Sequence, residues 1–457
     1  MEDITTYLQK NSNQILEELF GLLRIPSISS LSEHKDDMYR AAEYYKNALL
    51  KAGLDKAEIF DTPGHPVVYA EKILSSGFPT VLVYAHYDVM PVDPIELWES
   101  SPFEPEIREG KIYARGADDD KGQGFMHVKA IEYLINSHQL ECNVKFMIEG
   151  EEEIGSQHLE DFCRAHKDML TADIILLSDT TMIAFDTPSI TVGLRGLAYL
   201  EVEVTGPNRD LHSGLYGGIV QNPIHVLARL LASLHDDNGH ITIPGFYDDI
   251  REMSEEEREE LNRAPFDEEA YKKSLEIERL WGESGFTPVE RIGIRPSLDV
   301  CGIWGGYTGE GSKTILPSKA SAKVSMRLVP NQDPEKIAHL FENYLHKIAP
   351  DTVRLKVTAL HSGYPYIAPT NIPAYKAARK AYLKTFGKYP IPTRSGGSIP
   401  IINTFDKVLG IKSLLLGFGL ESDAIHSPNE NFLLKNFFKG IETISEFYLQ
   451  FSHITKD

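Results

Sequence analysis

The chain has 457 residues, of which 42% are hydrophobic and 25% charged, with a formal net charge of -21. That is the composition of a soluble globular protein with room for about two to three domains. Such an acidic excess repels phosphates and excludes nucleic acid and anionic membrane surfaces as expected partners. No apolar run approaches the ~18 residues needed to span a bilayer. The opening "MEDITTYLQKNSNQ" lacks the basic start and apolar core of a signal peptide. Cys142, Cys163 and Cys301 form no CxxC pair, so the expectation is a cytoplasmic protein with no cysteine metal site.

In chain order, "QILEELFGLLRI" and "MYRAAEYYKNALLKAG" have helical spacing, and Gly53 is placed to end the second. "TVLVYA" (80–85), "VKFMI" (144–148) and "IILLS" (174–178) are short continuous apolar runs, suited to strands covered on both faces. Helical "GQGFMHVKAIEYLI" lies between the first two, which is βαβ grammar. From about residue 189 the texture changes. "SITVGLRGLAYLEVEVTG" alternates like a half-exposed strand, helical "NPIHVLARLLASLH" follows, and "SEEEREELNRAPFDEEAYKK" reads as an acidic, mobile insertion. "AKVSMRLV", "DPEKIAHLFENYLHKI" with Asp333 as N-cap, and "VRLKVTAL" then form a strand–helix–strand unit. After Gly363 the α/β texture resumes through "AYKAARKAYLKTF", "KSLLLGF" and a closing helix. The expected fold is therefore α/β. A catalytic domain (1–188 and 363–457), with a mostly parallel mixed sheet flanked by helices, carries an inserted α+β domain (189–362).

Polar residues cluster where the apolar runs end. His86 and Asp88 follow the first run; Asp118, Asp119 and Asp120 fill a glycine-flanked turn before a helix; Glu151, Glu152 and Glu153 follow the second run; Asp179 follows the third; His426 follows "KSLLLGF". Open α/β sheets gather functional groups outside the carboxyl ends of their strands, so these side chains are placed to converge on one rim. Adjacent carboxylates at a buried strand end repel one another and resist desolvation. Either they are solvated turns or a cation offsets them. Two histidines with several carboxylates and no thiolate form a ligand set for zinc, manganese or cobalt.

The set "AHYDVMP", "ARGADDDKG", "EGEEEIGS", "SDT", "DLHSG", "RLVP", "GGSIP" and "AIHSPNE" resembles the binuclear-zinc metallopeptidases of the aminoacylase, glutamate carboxypeptidase and carnosinase family, nearest their cytosolic non-specific dipeptidase branch. The resemblance runs from about residue 15 to 450. It implies a first metal held by His86 and Asp179, a second held by Glu153 and His426, and Asp119 bridging both. It also implies a cis peptide between Asp119 and Asp120. Asp88 would orient the His86 ring. Glu152 would be the general base for a hydroxide bridging two divalent ions, zinc, manganese or cobalt, that attacks a dipeptide amide. Further implied are oxyanion stabilisation by His212 reaching a partner subunit's site, hence a homodimer, and a lid and dimer-contact role for the inserted domain. Arg327 would clamp the substrate carboxylate, with Thr314 and Ser398 adding hydrogen bonds.

Three rival readings stand beside this one. An N-acyl amino-acid deacylase would use the same five ligands with a pocket for an acyl group. A non-catalytic binding protein would be expected to have lost a ligand or the base, and none is missing. A serine hydrolase has no G-x-S-x-G elbow to support it. "GGYTGEGSKT" fails as a phosphate loop because Ser312 separates Gly311 from Lys313.

Overall fold

A computed structural model describes residues 3–454 other than Ser398 and Pro400. The backbone falls into two compact units. One comprises Met1–Val192, Ala368–Thr393 and Thr404–Asp457; the other comprises Gly193–Ile367 and Arg394–Asn403.

The main sheet runs in the order Lys56–Phe60, Val67–Lys72, Asn143–Glu149, Thr80–His86, Ile174–Leu177, Ser413–Leu415, Ser189–Leu194, Tyr366–Ile367. Parallel pairing is confined to the four strands from Asn143–Glu149 to Ser413–Leu415, and the flanking pairs are antiparallel. The sheet is α/β and mixed as expected, but among the described residues its parallel pairs are limited to the centre, so it is not mostly parallel. The central strands are the continuous apolar runs, and Asn143–Glu149 is buried along its whole length, as a strand covered on both faces must be. The helices Ile4–Leu23, Lys35–Lys51, Lys121–Asn136, Pro373–Phe386 and Leu434–Ile454 contribute to one core with it, through Leu19, Tyr45, Phe125, Tyr382 and Phe447 among others. Gly53 ends the second of these helices just past Ala52, at φ +98, a conformation that costs a glycine little.

In the second unit the strands Gly196–Thr205, Ser297–Gly305, Lys319–Leu328 and Arg354–Gly363 form an antiparallel sheet. Its order places the second strand beside the third, the third beside the first, and the first beside the fourth. With the helices Pro223–Ala232 and Pro334–Ile348 after the first and third strands, this is the ferredoxin-like βαββαβ arrangement. Val202, Val204, Val324 and Met326 on one sheet face pack with Leu227, Leu230, Phe341 and Leu345 of the helices. Asp333 caps its helix by accepting from the Glu335 and Lys336 amides.

Two sequence expectations differ from the structure. Residues 189–206 are two strands, because the chain breaks at Arg195. The acidic insertion is ordered into two short helices, Glu255–Leu261 and Glu268–Ser274. Ser254 and Glu257 close a capping box on the first helix. Arg258 of that helix donates to both carboxylate oxygens of buried Glu290, at 2.7 and 3.0 Å. The high charge density hid a capped helix whose cation has a fixed partner.

Candidate metal centre

The strand Thr80–His86 delivers His86, fully buried, to its carboxyl end. The ring Nδ1 lies 3.1 Å from the Asp88 carbonyl oxygen and 3.4 Å from Asp88 Oδ1. The other nitrogen, Nε2, lies 3.1 Å from Asp119 Oδ1 and 3.9 Å from Asp179 Oδ2. It makes no properly aligned hydrogen bond among the described residues, so a buried ring nitrogen is aimed at two carboxylates that do not satisfy it. Asp119 sits in the turn before the helix Lys121–Asn136, and the Asp119–Asp120 peptide is cis. Its second oxygen, Oδ2, is 2.9 Å from His426 Nε2, which is also 3.1 Å from Glu153 Oε2.

The donors therefore form two groups, His86–Asp119–Asp179 and Asp119–Glu153–His426, each with its ligand atoms within 4.8 Å of one another. Asp119 belongs to both. Each group offers one imidazole and two carboxylates, a set suited to a divalent ion of the zinc type. Glu152 belongs to neither.

The electrostatics report the same crowding. Burial, then the charge of Asp119, pushes Asp179 up to about 6 and Glu153 to about 7. Glu152 is driven well above the usual carboxylate range, first by burial, with Asp179, Asp119 and Glu153 adding to it and His86 opposing. Asp119 is also pushed up by burial, but the close His426 and His86 rings outweigh that and hold it low. Asp119 and Glu153 together raise His426 to about 11. For His86, burial disfavours the cation, yet Asp119 and Asp88 shift it well upward. Carboxylates that share a buried space with too little positive charge bind protons or cations. Two divalent ions would supply the missing charge, so the residues present fit a dinuclear centre.

Buried Asp88 does more than flank His86. Its Oδ1 accepts from the Glu152 amide at 3.2 Å and its Oδ2 from the Glu153 amide at 3.0 Å. One carboxylate thus holds the backbone of the glutamate turn against the histidine strand.

The chain matches the model of the peptidase family M20/M25/M40 over residues 82–450. The chain belongs to that family. It is 31% identical to the Cys-Gly metallodipeptidase dug1 of Schizosaccharomyces pombe, over 97% of this chain and 96% of the relative. It is 30% identical to the Beta-Ala-His dipeptidase of Rattus norvegicus, over 99% and 96%. Among solved structures, an M20 family metallo-carboxypeptidase from Sulfolobus solfataricus superposes with a TM-score of 0.86 at 37% identity, covering 96% of this chain and 99% of that one.

The remaining sequence candidates lie in the second unit, apart from Ser398, which falls outside the described residues. His212 and Thr314 are neighbours. The strand Leu211–His212 pairs with Ile315–Leu316, and the Ser213 amide donates to the Thr314 carbonyl at 3.0 Å. His212 is exposed, and its Nδ1 accepts from the Gly214 amide at 3.0 Å. Nε2 of the neutral ring therefore carries the hydrogen. Arg327 lies mid-sheet opposite Leu197 and Ser297. Sequence reasoning missed Arg195, a largely buried guanidinium whose Nε donates to the Gly396 carbonyl at 3.2 Å. Burial, then the like charge of Arg327, lowers its pKa to about 10.

Proposed function

We propose that the chain is a cytoplasmic, homodimeric dipeptidase working through two zinc ions, with manganese and cobalt as alternative metals. The observation that carries this reading is a carboxylate, Asp119, common to two three-donor groups, beside a buried glutamate, Glu152, that belongs to neither. The relatives named above, two of them dipeptidases, support it. So does the acidic, strongly desolvated site, and no helix among the described residues is long and apolar enough to cross a membrane.

In this reading His86, Asp119 and Asp179 hold one ion, and Asp119, Glu153 and His426 the other. Bound there, the ions would polarise the scissile carbonyl and acidify the attacking water. Glu152 takes the proton from that water and hands it to the leaving amine; burial raises its basicity toward that of an effective base. Asp88 fixes the His86 ring and the Glu152–Glu153 backbone. Arg327 grips the substrate carboxylate, with Thr314 and Ser398 adding hydrogen bonds. His212 presents its Nε2 hydrogen to the oxyanion in the partner subunit's site, and the second unit serves as lid and dimer contact.

The test is hydrolysis, with zinc or manganese supplied, of a free dipeptide, its N-acetylated form and a longer peptide with the same C-terminal residue. Preference for the free dipeptide is the expected result. Preference for the acetylated form would make the protein a deacylase. Preference for the longer peptide would favour a carboxypeptidase, the second reading that the Sulfolobus relative suggests. Mixing Glu152→Ala with His212→Ala protomers tests the shared site: activity returns if one site of the mixed dimer is rebuilt. Absence of recovery after demonstrated subunit exchange would remove the dimer reading.

A further inference from the structure

We propose that Glu430 is a positioning residue that locks the Asp119 turn and the His426 loop into one joint of the metal centre. This inference rests on the metal-centre reading above.

Glu430 lies four residues after His426 and is fully buried. The side-chain bonds found among the described residues go to the Arg115 guanidinium and to the turn that carries Asp119. Oε2 accepts from Arg115 Nη1 at 2.7 Å and from the Gly116 amide at 3.0 Å. Oε1 accepts from the amides of Asp118 at 3.1 Å and Asp119 at 3.2 Å. Four donors thus converge on two oxygens, and three of them are main-chain groups of the turn. A side chain needed only to neutralise Arg115 would have no reason to gather the amides. Arg115 is itself buried, donates through Nη2 to the Pro91 carbonyl at 3.0 Å, and lies 5.4 Å over the Trp98 ring.

The His426 end needs such an anchor. His426 is the least enclosed of the five donors, with half of its side chain exposed. Its loop includes three non-glycine residues at positive φ: Ala424 at +56, His426 at +59 and Asn429 at +64. Side chains adopt that region only when their surroundings enforce it. Besides Glu430, the loop is held by Asn429, which donates to the Leu97 carbonyl at 2.9 Å and accepts from the Glu99 amide at 2.8 Å. Apart from the contact of the ligands themselves, His426 Nε2 to Asp119 Oδ2 at 2.9 Å, Glu430 ties this loop to the main chain of the turn bearing the shared carboxylate. Outer partners of metal ligands typically change affinity by about 10–100-fold when removed.

The decisive variant is Glu430→Gln. It keeps the volume but offers one acceptor oxygen and turns an NH₂ group on the facing donors. Zinc affinity of the full-length apoprotein is measured by competition with a chromophoric chelator, beside the cobalt absorption spectrum and apoprotein melting. Glu446→Gln is the control: it removes the charge of a buried glutamate that pairs with the exposed Lys384 elsewhere in the fold. The expected result is a zinc affinity about 10–100-fold weaker in Glu430→Gln, an altered cobalt spectrum, and wild-type affinity in Glu446→Gln. Unchanged affinity and spectrum in Glu430→Gln, or equal weakening in the control, overturns the proposal. If Glu430→Gln does not fold, Glu430→Asp, which keeps the charge but withdraws the oxygens by one methylene, is judged by the same criteria. A wild-type chain that binds no zinc overturns the metal-centre reading and this inference with it.

Discussion

Replacing Asp88 with asparagine separates its role in the metal centre from its role in the fold. The carboxylate is fully buried and serves three groups: the Glu152 amide at 3.2 Å, the Glu153 amide at 3.0 Å, and the His86 ring at 3.4 Å. Asparagine can keep the shorter amide bond through its oxygen. Its NH₂ then faces the Glu152 amide, donor against donor, and that amide has no acceptor. Losing one hydrogen bond to a charged group, so that its donor is left unsatisfied, costs about 2–3 kcal/mol. The glutamate turn moves away from the His86 strand to relieve it, taking both carboxylates along. The expected outcome is a folded apoprotein destabilised by about 2–3 kcal/mol in denaturant titrations, with zinc affinity reduced about 10–100-fold. Dipeptide hydrolysis at saturating zinc falls as well, because Glu152 is misplaced even when the metals are loaded. If Asp88→Asn loses stability but binds zinc and turns over like wild type, the carboxylate is structural only and the argument fails.

Glu152→Gln should lower kcat by about 10²–10⁴-fold while zinc stoichiometry, measured by elemental analysis, stays at the wild-type value; loss of a metal would reassign Glu152 as a ligand. His127 is fully buried against Ser178 Oγ at 2.8 Å, and burial depresses it to about 3. The unfolded chain therefore takes up a proton below its ordinary pKa of about 6.5 that the folded chain refuses until near 3. Stability falls with pH across that window, by about 1.4 kcal/mol at pH 5.5. The difference in unfolding free energy between pH 7.5 and 5.5 should shrink by that amount in His127→Leu, and an identical pH dependence in both proteins would refute it. Glu290→Gln should free the acidic insertion, raising amide exchange in residues 255–261 about 5–30-fold for a local loss of about 1–2 kcal/mol; unchanged exchange would mean that buried Leu261 alone holds the helix down.

The sequence made the strand ends legible because burial on both faces leaves a continuous apolar signature, and a functional side chain is placed just where that signature stops. His86, Glu153 and Asp179 stand at such points, Asp119 stands in a turn before a helix and His426 in a loop after a strand, and the structure brings all five together. Other features carried no periodic signal. The strands Lys56–Phe60 and Val67–Lys72 lie on the flank of the sheet, where charged residues interrupt the apolar run. The capped helix at 255–261 was masked by its glutamates. Glu430 stood at the end of the quoted "AIHSPNE" with no role, because what marks it is four donors from a segment more than 300 residues away. Spacing along a chain reports which face a residue takes, not which distant amide it accepts.

The polar groups behind the ligands show how the geometry of such a site is held. Buried carboxylates left to repel one another would swing apart unless their backbones were fixed. Each ligand segment is tied to another element. Asp88 joins the His86 strand to the Glu153 turn. Asp120 accepts from the His86 amide at 3.2 Å, joining that strand to the Asp119 turn. Glu430 joins the Asp119 turn to the His426 loop. The Asp179 segment is held from the helix Lys121–Asn136: His127 meets Ser178 Oγ, and Gln123 donates to the Thr180 carbonyl at 3.3 Å. Gln123 also accepts from the Phe418 amide at 2.7 Å, which closes the circuit back toward the segment leading to the His426 loop. In a closed circuit no single tie fixes the geometry alone. Removing two ties on the same ligand segment should therefore weaken zinc binding by more than the product of the single effects. Removing ties on opposite sides, such as Asp88 and Gln123, should come closer to that product. Pairs of variants chosen this way distinguish a connected frame from a set of independent supports.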